Sequence, residues 1–250
     1  MTDAWVVLVI KHHAMNTTQL LRLGIFCLSL VLTSCFREAD PGPLQKGTRD
    51  VTALDFDRLE AGDGLNIIIQ QSPIFAVHAE GDRRNLSDLN VTKLGATLQI
   101  QFSGNWERDH PTYITISMPV LAGANFSGAT NVSASGFTAT QPVDLTFSGA
   151  SIGQFNLIAK VIKLAVSGAS HVSLSGNSDN LVARVSGASE LSAYGLTTLQ
   201  ADVDASGASK VNIKATQTLQ VNASGASIIY FRGGATVNAI ATGGSTVLQD

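Results

Sequence analysis

From about residue 121 onward, apolar and polar positions alternate with period two over short stretches, and the same stretches recur. Val143, Leu145 and Phe147 occupy every second position, as do Ile162, Leu164 and Val166, then Leu181, Ala183 and Val185, then Leu219, Val221 and Ala223. That spacing places each set on one face of a strand. The runs end in a small-residue tetrapeptide. Ser127-Gly128-Ala129-Thr130 recurs at Ser148, Ser167, Ser186, Ser206 and Ser224 as Ser-Gly-Ala-Ser, and finally as Thr242-Gly243-Gly244-Ser245, at spacings of 21, 19, 19, 20, 18 and 18 residues. A second alternation follows each tetrapeptide, with Val172 and Leu174, Leu191 and Ala193, Val211 and Ile213, and Ile229 and Phe231 on its apolar side. Gly136, Gly176, Gly195 and Gly233 then stand nine residues after the first residue of their tetrapeptides, where a second turn is needed.

Two short strands and two tight turns in 18–21 residues are too few for a helical solenoid unit and suit one rung of a parallel β-helix. The predicted fold is therefore all-β, with rungs stacked about 4.8 Å apart. Stacking makes a turn ladder of Ser148 and Gly149, Ser167 and Gly168, Ser186 and Gly187, Ser206 and Gly207, and Ser224 and Gly225, a column of hydroxyls able to hydrogen-bond from rung to rung. It also brings outward charges of opposite sign together: Asp144 beside Lys163, Arg184 beside Asp204, and Glu190 between His171 and Lys210. Such exposed pairs contribute only about 0–1 kcal/mol each, enough to favour register. Residues 51–120 carry further apolar runs, at 65–69, 74–79, 97–102 and 113–118, broken by Gly, Pro, Asp and Asn. They predict a less regular β portion of the same domain as the regular rungs at 121–250.

Ahead of this body, residues 20–32 form an apolar run too short to span a bilayer comfortably, the mark of a signal-peptide core. It ends in Leu32-Thr33-Ser34-Cys35, which resembles the bacterial lipobox and implies lipidation of Cys35. Residues 1–34 are thus expected to be a lipoprotein signal peptide, with Met15 as an alternative start, and 35–50 a flexible tether. The residue after Cys35 is Phe36 rather than Asp, which by the same resemblance implies outer-membrane sorting, with the periplasmic or surface face left open. Cys27 would leave with the signal and Cys35 carry lipid, so no thiol remains for a disulfide or zinc site.

Charge changes the picture by exclusion. The chain has 16 Lys+Arg against 19 Asp+Glu, a formal net charge of −3, unlike a broadly basic nucleic-acid binder. His78, His110 and His171 are far apart and lack ligand spacing, so neither a metal nor another cofactor is expected. Asp202 and Asp204, with Arg184 beside them, come closest to the carboxylate cluster of a β-helical polysaccharide-degrading enzyme, but they are too few for calcium-assisted lyase chemistry. The expectation is a protein that is not an enzyme. Trp106, with Asn105, stands in the polar loop 103–111 as a candidate ligand contact, with folding back over the solenoid end as its structural role. Tyr194 and Tyr230 fall on outward positions and are secondary contact candidates.

The ordered motifs Asp55-Phe56-Asp57-Arg58-Leu59, 64–71, Ala79-Glu80-Gly81-Asp82, Leu98-Gln99-Ile100, 114–119 and Asn125-Phe126-Ser127-Gly128-Ala129 resemble the auto-transporter adhesin head GIN domain, a domain-of-unknown-function family. The resemblance covers roughly Leu54 to Ile229 and implies a right-handed β-helical body on secreted or lipid-anchored bacterial envelope proteins. It brings no catalytic motif. Signal, periodicity and resemblance together predict a lipid-anchored, non-catalytic envelope protein, held to the membrane through Cys35. Its adhesin-like head would present polar faces to glycan or protein partners. The alternatives are a structural envelope protein that self-associates end to end through its carboxy-terminal rungs, where Val247-Leu248-Gln249-Asp250 has no capping helix after it, and the polysaccharide enzyme.

Overall fold

A computed structural model of the chain describes residues 42–250; the expected signal peptide, Cys35 and the first part of the expected tether lie outside the described residues. The first strands are β1 (Lys46–Val51), β2 (Arg58–Ala61), β3 (Asn66–Gln71) and β4 (Ala76–Asp82), followed by the short helix α1 (Arg83–Asp88). Then come β5 (Leu89–Leu94), β6 (Thr97–Phe102), β7 (Tyr113–Met118), β8 (Gly123–Phe126), β9 (Asn131–Ala139) and β10 (Val143–Phe147). The long strands β11 (Ile152–Val166), β12 (His171–Val185), β13 (Glu190–Ala205) and β14 (Lys210–Ala223) precede β15 (Ile228–Arg232), β16 (Thr236–Ala241) and β17 (Thr246–Gln249). The last residues of the segment expected to be a flexible tether are structured: Lys46–Val51 is a strand paired antiparallel with β4 along its whole length.

The repeat region is a parallel β-solenoid. Val143 pairs with Ile162, Ile162 with Leu181, Leu181 with Ala201 and Ala201 with Leu219, so every rung sets its apolar positions on those of the rung before. All the inward residues named from the alternation are buried except Phe231, which is half-buried. The two expected strands of a rung run on as one ladder in β11 to β14, because the second turn is a bend with a register shift rather than a break. Around that bend the parity changes: Leu157 and Ala159 point inward, then Ile162. Ser178 and Thr198 stand inward at this corner and donate hydroxyl protons to Asn180 O at 2.8 Å and Gln200 O at 2.9 Å, which satisfies polar groups that burial would otherwise penalise.

The Ser-Gly-Ala-Ser column is held chiefly by backbone. Ala169 N donates to Gly149 O, Ala188 N to Gly168 O, Ala208 N to Gly187 O and Ala226 N to Gly207 O, at 2.7–2.8 Å. Hydroxyls bond carbonyls rather than one another: Ser151 Oγ donates to Ser148 O within its corner at 2.9 Å, and Ser189 Oγ to Gly168 O across rungs at 3.3 Å. The glycines have two reasons to be there. Their φ angles lie at 60–76°, and a Cβ at Gly168, Gly187, Gly207 or Gly225 would stand 2.5–2.7 Å from the carbonyl oxygen of the preceding glycine.

The amino-terminal portion is stacked out of sequence order. The rung formed by β2 and β3 lies between β6–β7 on one side and β8–β9 on the other, all parallel. The intervening chain, β4, α1 and β5, folds over that end of the stack, with β4 antiparallel to both β7 and β1, and β5 antiparallel to β6. Leu86 and Leu89 are buried beneath this cap. At the opposite end, among the described residues, β16 pairs only with β14, and β17 only with β15.

Candidate functional site

Outward residues of the face after each Ser-Gly-Ala-Ser corner line up in register. Thr115, Ile68, Ser133, Gln154, Ser173, Ser192, Asn212 and Tyr230 form one column across seven strands and β15. Short hydroxyl and amide side chains dominate it, with Ile68 and Tyr230 as its larger members. A shallow groove of about 410 Å³ runs along this face, lined by Ser133, Ser135, Gln154, Asn156, Ser173 and Ser175. Asn156 Nδ2 donates to Ser175 Oγ at 2.9 Å, and Ser175 Oγ to Phe155 O at 3.3 Å. Gln154 is exposed and, among the described residues, its amide makes no side-chain hydrogen bond. A smaller hollow of about 220 Å³ continues the groove past Asn131 and Asn66 to Tyr113 and Ile68, which are 51% and 46% exposed. Polar hydrogen-bonding groups with an aromatic plane at one edge suit a polyhydroxylated or peptide ligand.

The expected contact residues are distributed differently. Tyr230 belongs to this same column and Tyr194 lies beside it, but both are half-buried. The Tyr194 hydroxyl donates to Asp250 Oδ2 at 2.9 Å, with Arg232 over the Tyr194 ring at 4.2 Å from its centroid. Burial first, then the Asp250 carboxylate, pushes the Tyr194 hydroxyl pKa above its ordinary value. Trp106 is apart from this face and half-buried. Its indole lies on Gly104, where a Cβ would be 1.9 Å from the ring. Arg108 stacks on Phe102 and Trp106 and donates to Gly104 O at 3.0 Å, Trp106 O at 3.1 Å and the Asp88 carboxylate. The loop is thus folded on itself against the end of α1, with Asn105 exposed beside Trp106. Polar faces and outward Tyr194 and Tyr230 are legible in the sequence, but Gln154, Asn156 and Tyr113 are not singled out by it; the alternation of outward positions from Tyr113 through 115 and 117 is the available signal.

Asp144, Glu190 and Asp204 are engaged in rung-to-rung contacts, whereas Asp202 is in no ion pair among the described residues. Arg184 pairs with Asp204, which also accepts from Asn222 Nδ2 at 3.0 Å. Asp144 lies 3.3 Å from Arg58 and 3.9 Å from Lys163, and Glu190 lies 3.4 Å from His171 and 3.1 Å from Lys210. Among the described residues no three His, Cys, Asp or Glu side chains are placed to hold a metal ion.

Stacked rungs, a glycine corner and a flat polar face define a parallel β-solenoid protein. Residues 55–235 match the family described as "Putative auto-transporter adhesin, head GIN domain", and the chain belongs to that family. None of the curated proteins matches the chain. Among solved structures it is similar to a "putative adhesin" from Bacteroides fragilis, with a TM-score of 0.78 and 21% identity over 82% of this chain and 97% of that one. A "putative adhesin" from Parabacteroides distasonis gives 0.64 and 19%, covering 84% and 98% of the two chains. A "putative lipid binding protein" from the same organism gives 0.64 and 18%, covering 82% and 96%. At these identities the likeness is one of fold.

Proposed function

We propose that this chain is a lipid-anchored, non-catalytic envelope protein whose head binds glycan or protein partners on the groove face. The observation that carries the reading is the continuous column of short hydroxyl and amide side chains, with the unpaired Gln154 amide and the exposed Tyr113 ring beside it. Asp144, Glu190 and Asp204 are taken up in ion pairs along the rungs, an arrangement suited to register. Membership of an adhesin-head family supports export and an envelope location, and the Leu32-Thr33-Ser34-Cys35 motif supports attachment through Cys35. The test is a binding screen against envelope glycans and proteins, repeated with Gln154→Ala and Tyr113→Ala. Saturable binding without turnover that falls about tenfold or more in the double variant is the expected result, the size expected for loss of one good hydrogen bond plus ring contact. Unchanged binding removes this face from the reading.

A second reading, self-association, is favoured by one observation. Among the described residues β16 and β17 each pair on one side only, and Ile240 and Leu248 on them are 60% and 46% exposed. An unpaired strand edge is a template for another strand.

A further inference from the structure

The capped end of the solenoid carries a cleft of about 820 Å³ between β1 and α1. Lys46, Arg49 and Arg83 line it, against the single carboxylate of Glu80, in a chain whose formal net charge is −3. Among the described residues none of these three cations is in an ion pair. Neutral carbonyls position the guanidinium groups instead. Arg49 donates to Leu86 O at 2.9 Å and Leu89 O at 2.6 Å, and Arg83 Nε donates to Lys46 O at 3.2 Å. The Arg83 stem lies so close over β1 that a Cβ at Gly47 would be 2.8 Å from its Cγ. Two arginines held in place by backbone, with Glu80 alone against three cations and in no ion pair with them among the described residues, favour an anionic oxygen ligand. Leu44, 44% exposed, precedes the cleft on the same stretch of chain.

Position argues for where that anion comes from. Gly42 and Pro43 are held at this same end, their carbonyls accepting from Arg84 at 3.3 Å and 3.2 Å. Gly42 is the seventh residue after Cys35, at most about 25 Å of extended chain away. An anchor at Cys35 therefore holds the cationic end within that reach of the bilayer. We propose that Lys46, Arg49 and Arg83 dock the cap onto the phosphates of anionic lipid headgroups, orienting the polar face relative to the membrane. The orientation rests on the reading of Cys35 as the anchor; the affinity for headgroups does not. A basic residue near an anionic surface contributes about 1 kcal/mol, so the cleft acts as a second attachment beside the tether.

The experiment uses the full chain carrying Cys35→Ala, which removes any acyl chain, on phosphatidylcholine vesicles with and without phosphatidylglycerol. The expected result is tighter binding to the vesicles containing phosphatidylglycerol. In Lys46→Gln/Arg83→Gln that preference should fall about thirty-fold, the loss of two charges, and it should fade at about 0.5 M salt. Thr48→Glu, an exposed substitution that adds a negative charge to the cleft, should reduce it as well. Equal binding to both vesicles, an unchanged preference in both variants, or displacement by equimolar inorganic phosphate overturns the proposal. Radiolabelled palmitate incorporation into the unmodified chain reports on Cys35 separately, so failure of the anchor and failure of the cleft are distinguishable.

Discussion

Glycine at the Ser-Gly-Ala-Ser corner is required by the next rung as much as by its own turn. Gly187 has φ 75°, and a Cβ there would meet Gly168 O at 2.6 Å. Backbone strain of that kind costs about 1–3 kcal/mol before the clash is added. Gly187→Ala is therefore expected to lower unfolding free energy by at least that much in urea, whereas Ala188→Ser in the same corner, exposed and at ordinary φ, should change it by less than about 0.5 kcal/mol. Asp82 is a second residue with a defined environment. It is fully buried and accepts from Arg84 Nε and Nη2 at 2.8 Å, from Gln45 N at 2.8 Å and from Arg84 N at 2.9 Å. The Arg84 guanidinium, against the effect of burial and with help from the two backbone donors, holds this carboxyl far below the usual carboxylate range. A depressed folded pKa contributes stability that is complete above the unfolded value near 4 and is lost as pH falls below it. Thermal melts of Asp82→Asn should show a lower Tm at neutral pH, and a smaller loss of Tm than the parent between about pH 4 and pH 2.

Rungs trade volume across the Ser-Gly-Ala-Ser corner. Phe147 and Phe155 meet edge to face at 5.7 Å, and Phe147 lies 5.4 Å from Phe126. Gly153 makes room for them, since a Cβ there would be 2.5 Å from the Phe147 ring. The following rung solves the same space with Val166 and Val172, both buried. Gly153→Val alone should therefore destabilise by about 1–3 kcal/mol through overpacking. Adding Phe147→Val, which reproduces the next rung's pair, should restore part of that loss; a strictly additive double mutant in urea unfolding would contradict the account. Rungs also differ in how many neighbours they have. Amide exchange should be slowest in β11 to β14, paired on both sides, and fastest in β16 and β17, paired on one, because a rung's stability is the sum of its own and its neighbours' interfaces.

At the scale of the molecule, the two ends are unlike. One is closed by β4, β1, β5 and α1, with basic residues around a cleft; the other presents strand edges with Ile240 and Leu248 exposed. Light scattering over a concentration series is expected to show a monomer–oligomer equilibrium, shifted toward monomer by Ile240→Lys, because an edge lysine opposes strand-to-strand pairing. A strict monomer at high micromolar concentration would remove the self-association reading and leave the polar face as the head's working surface.

Much of this was legible before any coordinates. Period-two alternation, the phased tetrapeptide and the charge columns specify strands, corners and register, because in a parallel stack each residue's neighbours are its own equivalents one repeat away. Asp144 beside Lys163 and Arg184 beside Asp204 follow from that rule alone, and the family resemblance pointed to the same solenoid. Where no repeat operates, local sequence is silent. The insertion of β2 and β3 between β6–β7 and β8–β9, and the strand Lys46–Val51 where a tether was expected, depend on pairings between segments dozens of residues apart. The folding of Trp106 onto Gly104 under Arg108, and the clustering of Lys46, Arg49 and Arg83 in one cleft, have the same origin. Sequence by itself determined the periodic body, since periodicity is a local property repeated; only the tertiary structure decided the cap and the groove, since each is assembled from residues that become neighbours when non-consecutive strands pair.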